Sequence, residues 1–281
     1  MVFHKQDSLK ASLSQYVSKQ KKIGFVPTMG ALHKGHLSLV KKALKENDAV
    51  VVSVFVNPTQ FDNASDLKKY PRTLDQDVTL LNTLKGTILI YAPDASDLYG
   101  EKVSSTHYRF GGIEHQMEGK FRKGHFDGVG TVLNLLFRAV QPNKAYFGEK
   151  DFQQLQIVKK LVEIENLPIK IIGCPIMREP NGLAMSSRNK RLSSIQFQEA
   201  ALIYKTLKEV QQHFDKESIA SLHKLVAKRF SENKHLTLEY FEITAVKNLK
   251  PAHRKIKGNT YRAFIAAFAG DVRLIDNIAL N

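Results

Sequence analysis

The stretch Pro27-Thr-Met-Gly-Ala-Leu-His33-Lys-Gly-His36 lies between two apolar runs, and that placement constrains the fold more than any other feature of the chain. Upstream is Lys22-Ile-Gly-Phe-Val26 and downstream is Ala49-Val-Val-Val-Ser-Val-Phe-Val56, both β-rich. The intervening segment has the length of a crossover helix, so the three pieces read as a βαβ unit. Pro27 and Gly30 suit a tight turn off the first strand. Backbone N–H groups opening the next helix are then expected to face a phosphate. His33 and His36, three residues apart, are expected on one helical face, donating to the same phosphate oxygens, with Gly35 between them allowing close approach. The segment matches neither G-x-G-x-x-G nor G-x-x-x-x-G-K-[ST], so the histidines take the place of a Gly-rich phosphate loop.

Further apolar strands are expected near 87–91 and 169–176, and helices over Thr131 to Val140 and Phe152 to Glu165. Alternating strands and helices predict an α/β fold, a Rossmann-like parallel sheet whose ligands bind at the carboxyl ends of its strands. After residue 176 the pattern changes. Helices near 194–214 and 217–232 precede strand-like runs at 237–246, 261–269 and 271–278, which predicts a smaller C-terminal α+β lid domain over 177–281. The chain of 281 residues is long enough for these two domains.

Three further segments carry chemistry. In Phe55-Val-Asn-Pro-Thr-Gln60-Phe61, Gln60 is placed to bind hydroxyls or a carboxylate oxygen without a full counter-charge, although Asn57-Pro58 also reads as a turn cap. In Tyr146-Phe-Gly148-Glu149-Lys150-Asp151-Phe-Gln-Gln154, a Gly turn enters a helix carrying a cation and an amide. There Lys150 suits phosphate charge, and the bland alternative is a surface Glu-Lys-Asp cluster. In Met177-Arg-Glu-Pro-Asn-Gly-Leu-Ala-Met185-Ser186-Ser187-Arg188-Asn189, two hydroxyls and a guanidinium make a polyphosphate clamp, but Ser-Ser-Arg alone is common.

The formal net charge of +15 raises polyanion binding. The basic residues are dispersed, however, with no aromatic RNA-binding signature, and they read mainly as solvated surface. No apolar run approaches the roughly 20 residues of a membrane span, and the polar N-terminus lacks an export pattern. Cys174, the single cysteine, sits in an apolar run that suggests core packing. A cytoplasmic protein that binds neither nucleic acid nor membrane is expected.

Together these segments resemble the pantothenate synthetase (pantoate–β-alanine ligase) family of the nucleotidyltransferase superfamily, over nearly the whole chain. Also part of the resemblance are Tyr70-Pro-Arg-Thr73, Glu118-Gly-Lys-Phe-Arg-Lys-Gly-His-Phe-Asp-Gly-Val129 and Arg273-Leu-Ile-Asp-Asn277. Departures are Lys34 where an acidic residue is usual, Lys123 where Pro is usual, and Asn181 where Asp is usual. The resemblance implies an ATP-dependent condensation of pantoate with β-alanine through an acyl-adenylate, with Mg²⁺ on the phosphates and a homodimeric assembly. It implies catalytic roles for His33, His36, Lys150 and Arg188, with His36 the family's proton donor. A carboxylate nucleophile has no proton to lose and pyrophosphate leaves readily, so electrostatic stabilisation is the preferred role for His36. ATP is expected on Met29, Gly30, Ala31, Leu32, His33, Lys34, Gly35, His36, Gly148, Glu149, Lys150, Asp151, Met177, Met185, Ser186, Ser187 and Arg188. Pantoate is expected on Gln60 and Gln154, with Met29 offering apolar surface to its methyl groups. The closest alternatives are another nucleotidyltransferase of the superfamily and, from the basic charge alone, an RNA-binding module.

Overall fold

The computed structural model describes residues 1–61 and 64–281. The chain divides into two compact units: Met1–Glu114, Glu118–Glu149 and Gln153–Pro175 form the first, and His115–Met117, Lys150–Phe152 and Ile176–Asn281 the second.

The first unit is built on a sheet of six strands: β1 (Val2–Phe3), β2 (Ile23–Thr28), β3 (Ala49–Val54), β4 (Ile88–Tyr91), β5 (Lys144–Gly148) and β6 (Lys170–Cys174). Their order is β1-β4-β3-β2-β5-β6, and every neighbouring pair is parallel. Val50, Val51 and Val52 are all fully buried, as a parallel strand covered on both faces requires, which explains the unbroken apolar run in the sequence. The helix Lys34–Glu46 makes the crossover from β2 to β3 and buries Leu37, Leu39, Val40 and Ala43. The helix His125–Val140 buries Phe137, whose ring meets Phe25 of β2 edge-on at 6.0 Å. No helix among the described residues is long and apolar enough to cross a membrane.

The strand order reverses between β2 and β5. From β2 the chain runs outward through β3 and β4, whereas β5 and β6 lie on the other side. Loops leaving the carboxyl ends of two such strands splay apart and leave a crevice. Here those loops carry Met29 to His33 after β2 and Glu149 onward after β5. Strand β5 was missed in the sequence pattern, which reads its end as a turn into a helix. Only Tyr146 and Phe147 of its five residues favour a strand, too short a run beside Lys, Ala and Gly to stand out, and its place is decided by pairing Gly24 with Lys144 and Phe25 with Ala145.

The second unit holds an antiparallel sheet in the order β7 (Thr237–Ala245), β8 (Tyr261–Ala269), β9 (Val272–Ala279). Gly270 at φ 63° begins the two-residue connection that sets Ala269 opposite Val272, a position where a β-carbon would be strained. The helices Ala201–His213 and Ile219–Ser231 bury Ile203, Leu207, Val210, Leu222, Val226 and Phe230 against this sheet. Lys150–Phe152 belong to this unit because the Asn277 side chain donates to the Lys150 carbonyl at 2.8 Å and Phe152 lies among Phe264 and Arg262. The α/β class, with its parallel sheet and smaller α+β portion, is as the sequence pattern predicts.

An ion cluster locks the base of the first sheet. Glu46 accepts from Lys144 Nζ at 2.9 Å and the Tyr146 hydroxyl at 3.0 Å, with Lys42 Nζ at 3.2 Å. Lys144 first, then Tyr146 and Lys42, hold its carboxyl down from 4.5 to about 2. A depressed carboxylate stabilises the fold above its unfolded pKa and loses that contribution as pH falls through the folded one. Glu46→Gln should therefore flatten the acid limb of a pH–stability curve between 4.5 and about 2, measured by urea unfolding. The effect should be modest, because solvent screens a side chain that is 29% exposed.

Candidate active site

At the end of β2 the Thr28 hydroxyl donates to the Ser53 carbonyl at 2.6 Å and accepts the Gly30 amide at 3.2 Å. Gly30 and Ala31 then turn the chain with φ of 81° and 50°. A left-handed alanine costs roughly 1–2 kcal/mol, so the surroundings must hold it. Asp77 does so, accepting the Ala31 amide at 3.0 Å and the Leu32 amide at 2.7 Å.

His33 is not on the helix face that its spacing suggests. It is the N-cap, with extended backbone (φ −143°, ψ 176°), and the helix begins at Lys34. The His33 Nδ1 accepts the Gly35 amide at 3.1 Å, and the His36 Nδ1 accepts the His33 amide at 3.3 Å, a reciprocal capping box made of two imidazoles. Their ring centroids are 4.1 Å apart. A ring whose Nδ1 accepts a backbone N–H is neutral and carries its proton on Nε2. Both histidines are thereby set as Nε2–H donors. The amides of Gly30, Ala31, Leu32, His33 and Gly35 all have partners inside the protein. Of the amides that open the helix, that of Gly35 is therefore taken by the His33 ring.

Gln60 ends a short 3₁₀ turn, Pro58–Gln60, capped by Asn57. Asn57, 1% exposed, donates to the Gln60 Oε1 at 3.2 Å and to the Gly128 carbonyl at 3.2 Å, while its own Oδ1 accepts the Tyr99 hydroxyl at 2.5 Å. Burial pushes the Tyr99 hydroxyl up from its ordinary pKa, so it stays a donor. The Gln60 Nε2 lies 3.2 Å from the Met29 sulfur, bringing together two residues assigned to one substrate. The Gln60 carbonyl is held by His125 Nδ1 at 2.9 Å and by Arg122 at 3.4 Å. Arg122 also lies 3.1 Å from His125 Nε2, so this ring carries its proton on Nδ1, opposite to His33 and His36. A β-carbon at Gly128 would meet the Thr59 carbonyl at 2.3 Å, so only glycine lets the helix approach this turn.

The two neighbouring glutamines of the helix Phe152–Ile164 differ in kind. Gln153, 3% exposed, accepts the Glu118 amide at 3.0 Å and donates to the Ile113 carbonyl at 2.8 Å. Gln154 is half-buried, and its side chain has no hydrogen bond among the described residues. A β-carbon at Gly148 would meet nothing within 4 Å, so open space lies beside the end of β5.

In the second unit Lys150 Nζ lies 3.6 Å from the Asp151 carboxylate. Met177 to Met185 fold back as a hairpin, with the Met185 amide donating to the Met177 carbonyl at 2.9 Å. The Ser186 hydroxyl accepts the Arg188 amide at 3.2 Å and caps the 3₁₀ turn Ser187–Arg191. Arg178 anchors this hairpin through a bidentate pair with Asp276, at 2.6 and 3.1 Å, and stacks 3.6 Å over the Tyr204 ring. Asp276 is 3% exposed, and burial raises its pKa against the pull of Arg178.

The sequence matches the pantoate-beta-alanine ligase family over residues 1–279. This chain belongs to that family. The Christiangramia forsetii pantothenate synthetase is 54% identical over 280 residues, covering 100% of this chain and 99% of that protein. The Flavobacterium psychrophilum pantothenate synthetase is 53% identical over 280 residues, again covering 100% of this chain and 99% of the relative. Pantothenate synthetase from Thermus thermophilus matches the fold with a TM-score of 0.91 at 36% identity, covering 99% of each chain. Pantoate-beta-alanine ligase from Francisella tularensis, complexed with beta-gamma ATP and beta-alanine, matches with a TM-score of 0.81 at 37% identity, covering 100% of this chain and 97% of that one.

Against the usual pattern of this ligase family, the three departures are accommodated. Lys34 is exposed at the first helical position, and Lys123 is exposed before Gly124. Asn181 uses both ends of its amide, donating to the Phe197 carbonyl at 2.9 Å and accepting the Leu183 amide at 3.1 Å, where an aspartate would only accept. Asp77, Tyr99, Arg122 and His125 are supports that sequence reasoning gave no role, and Asn57, read there as a turn cap, does cap the turn Pro58–Gln60. Their partners are 3 to 71 residues away, and only Asn57, Arg122 and His125 stood inside a segment already singled out.

The tautomers can be read directly. Long-range ¹H–¹⁵N spectra of the ligand-free protein at neutral pH should show His33 and His36 as Nε2–H and His125 as Nδ1–H. An Nδ1–H signal from His36 would contradict the capping box.

Proposed function

We propose that this chain condenses pantoate with β-alanine to pantothenate at the expense of ATP, through a pantoyl-adenylate. The observation that carries the reading is the imidazole capping box, which sets two neutral Nε2–H donors beside the point where the strand order reverses. In the first step a pantoate carboxylate oxygen attacks the α-phosphorus, the bond to the bridging oxygen breaks, and pyrophosphate leaves. In the second, the β-alanine nitrogen attacks the acyl carbon, AMP leaves, and the amine gives up its proton.

His33 and His36 stabilise phosphate charge by donating Nε2–H. A neutral ring that lost this proton would become an imidazolate, so the capping box favours electrostatic stabilisation over proton donation by His36. Lys150, Ser186, Ser187 and Arg188 are assigned to the triphosphate as cation, short donors and planar fork. The open space at Gly148 suits the nucleotide. Gln60 and Gln154 take the pantoate hydroxyls and carboxylate, with Met29 against its methyl groups. An amide leaves a bound carboxylate nucleophilic where a cation would neutralise it.

Mg²⁺ belongs to this reading as part of the substrate MgATP. Among the described residues no three His, Cys, Asp or Glu side chains are grouped to hold a metal ion, so its ligands in this scheme are phosphate oxygens. A homodimer, a cytoplasmic location and a lid role for residues 177–281 belong to the same proposal.

The deciding assay follows AMP and pyrophosphate release from MgATP with pantoate, with and without β-alanine, alongside mass detection of product. Pantothenate should form only with both acids present. Absence of any pantoate-dependent pyrophosphate release or exchange would overturn the substrate assignment. His36→Ala should slow adenylate formation by about 100-fold, the usual scale for losing one charge-stabilising donor, with unchanged circular dichroism. Gln154→Ala should raise the KM for pantoate more than that for ATP in steady-state kinetics, and the opposite ordering would remove it from the pantoate site.

A further inference from the structure

Asp77 is 2% exposed, in the first turn of the helix Leu74–Leu81, and no part of the chemistry described above uses it. Its two oxygens are divided between neighbouring amides: Oδ1 accepts Leu32 at 2.7 Å, and Oδ2 accepts Ala31 at 3.0 Å together with the Thr73 hydroxyl at 3.3 Å. Both oxygens must therefore accept, which only the ionised carboxylate does without turning a proton toward a donor. Such charge-assisted bonds are about twice as strong as neutral ones, and they offset the cost of burying the charge. The clamp also touches the turn sterically. A β-carbon on Gly30 would meet Asp77 Oδ2 and Val54, each at 3.0 Å.

The clamped residues are the strained ones. Ala31 sits at φ 50°, and the next residue after Leu32 is His33, whose amide and ring make both halves of the imidazole capping box. We propose that Asp77 is the positioning residue of the nucleotide site: its carboxylate holds Ala31 and Leu32 in the strained turn and so fixes where the His33–His36 pair points. The proposal rests on the nucleotide reading of that pair. Asp77 touches neither ATP nor the reacting atoms in this scheme and acts only through the turn. An aliphatic residue would leave two buried amides unsatisfied, and asparagine, nearly isosteric, would face one of them with its own N–H.

The test is Asp77→Asn in the full chain, with amide hydrogen exchange followed by NMR and binding of a non-reacting ATP analogue followed by calorimetry. Exchange at Ala31 and Leu32 should rise by about 100-fold while Phe25 and Val26 of β2 stay within about threefold, because only the local opening changes. Affinity for the analogue should fall by about 10-fold or more while the KM for pantoate stays within about twofold. In a His33→Ala background the same substitution should weaken nucleotide binding much less, since residues acting as one unit are not additive. Unchanged exchange at the two amides would overturn the clamp. Faster exchange with analogue affinity within about twofold of wild type would overturn its role in the site. If the wild-type chain binds no nucleotide, the nucleotide reading and the positioning role fall together, and the exchange result alone still decides the clamp. Should Asp77→Asn fail to fold, Thr73→Val, which removes only the hydroxyl on Oδ2, should weaken the analogue by about threefold, and wild-type affinity would overturn the proposal.

Discussion

Five polar demands follow β2, and the chain meets them without a sheet or helix ladder. The amides of Gly30, Ala31, Leu32, His33 and Gly35 are taken by Thr28, Asp77, Asp77, His36 and His33 in turn. A backbone N–H left unpaired away from water costs as much as a lost hydrogen bond, so the turn is stable only with all these partners in place. Its left-handed Ala31 is tolerated on the same terms. The geometry of the His33–His36 pair starts from this accounting.

The accounting has a chemical result. Because each imidazole uses Nδ1 to satisfy a backbone amide, the remaining N–H of each ring is fixed in direction and in protonation. In the proposed reaction this structural duty would prepare two donors that need little reorganisation when negative charge develops, which is where electrostatic catalysis draws its strength. Gln60 is prepared similarly from the other side. His125 and Arg122 hold its carbonyl and Asn57 holds its Oε1, so its Nε2 has a defined direction. Gln153, its side chain bonded at both ends, and Gln154, whose side chain is bonded at neither among the described residues, differ in surroundings within a single helical step.

Family membership and fold were legible because they rest on local patterns. The valine run of β3 is the continuous apolar stretch of a strand covered on both faces, the helix Lys34–Glu46 carries an apolar stripe, and the C-terminal portion carries apolar strand-like runs. The ordered motifs around His33, Gln60, Lys150 and Ser186 identified the family from the chain alone, as its match over residues 1–279 bears out. Strand β5 escaped because its two strand-favouring residues, Tyr146 and Phe147, are flanked by Lys, Ala and Gly and run straight into the Gly148 turn, so that its extent is defined by pairing with β2 and β6. The partners of the turn amides were not legible for a related reason. Spacing places His33 and His36 near each other, but whether an amide faces a ligand or a carboxylate 45 residues away is a matter of packing.

The sequence by itself determined the alternation of strands and helices, the succession of chemical groups at the strand ends and the family to which they belong, since these follow from side-chain period and residue type. Tertiary structure alone decided which N–H groups remain available, which tautomer each histidine adopts and which of two adjacent glutamines is left open. Those properties depend on donors and acceptors from distant segments competing for the same atoms, and no local pattern records the outcome of that competition.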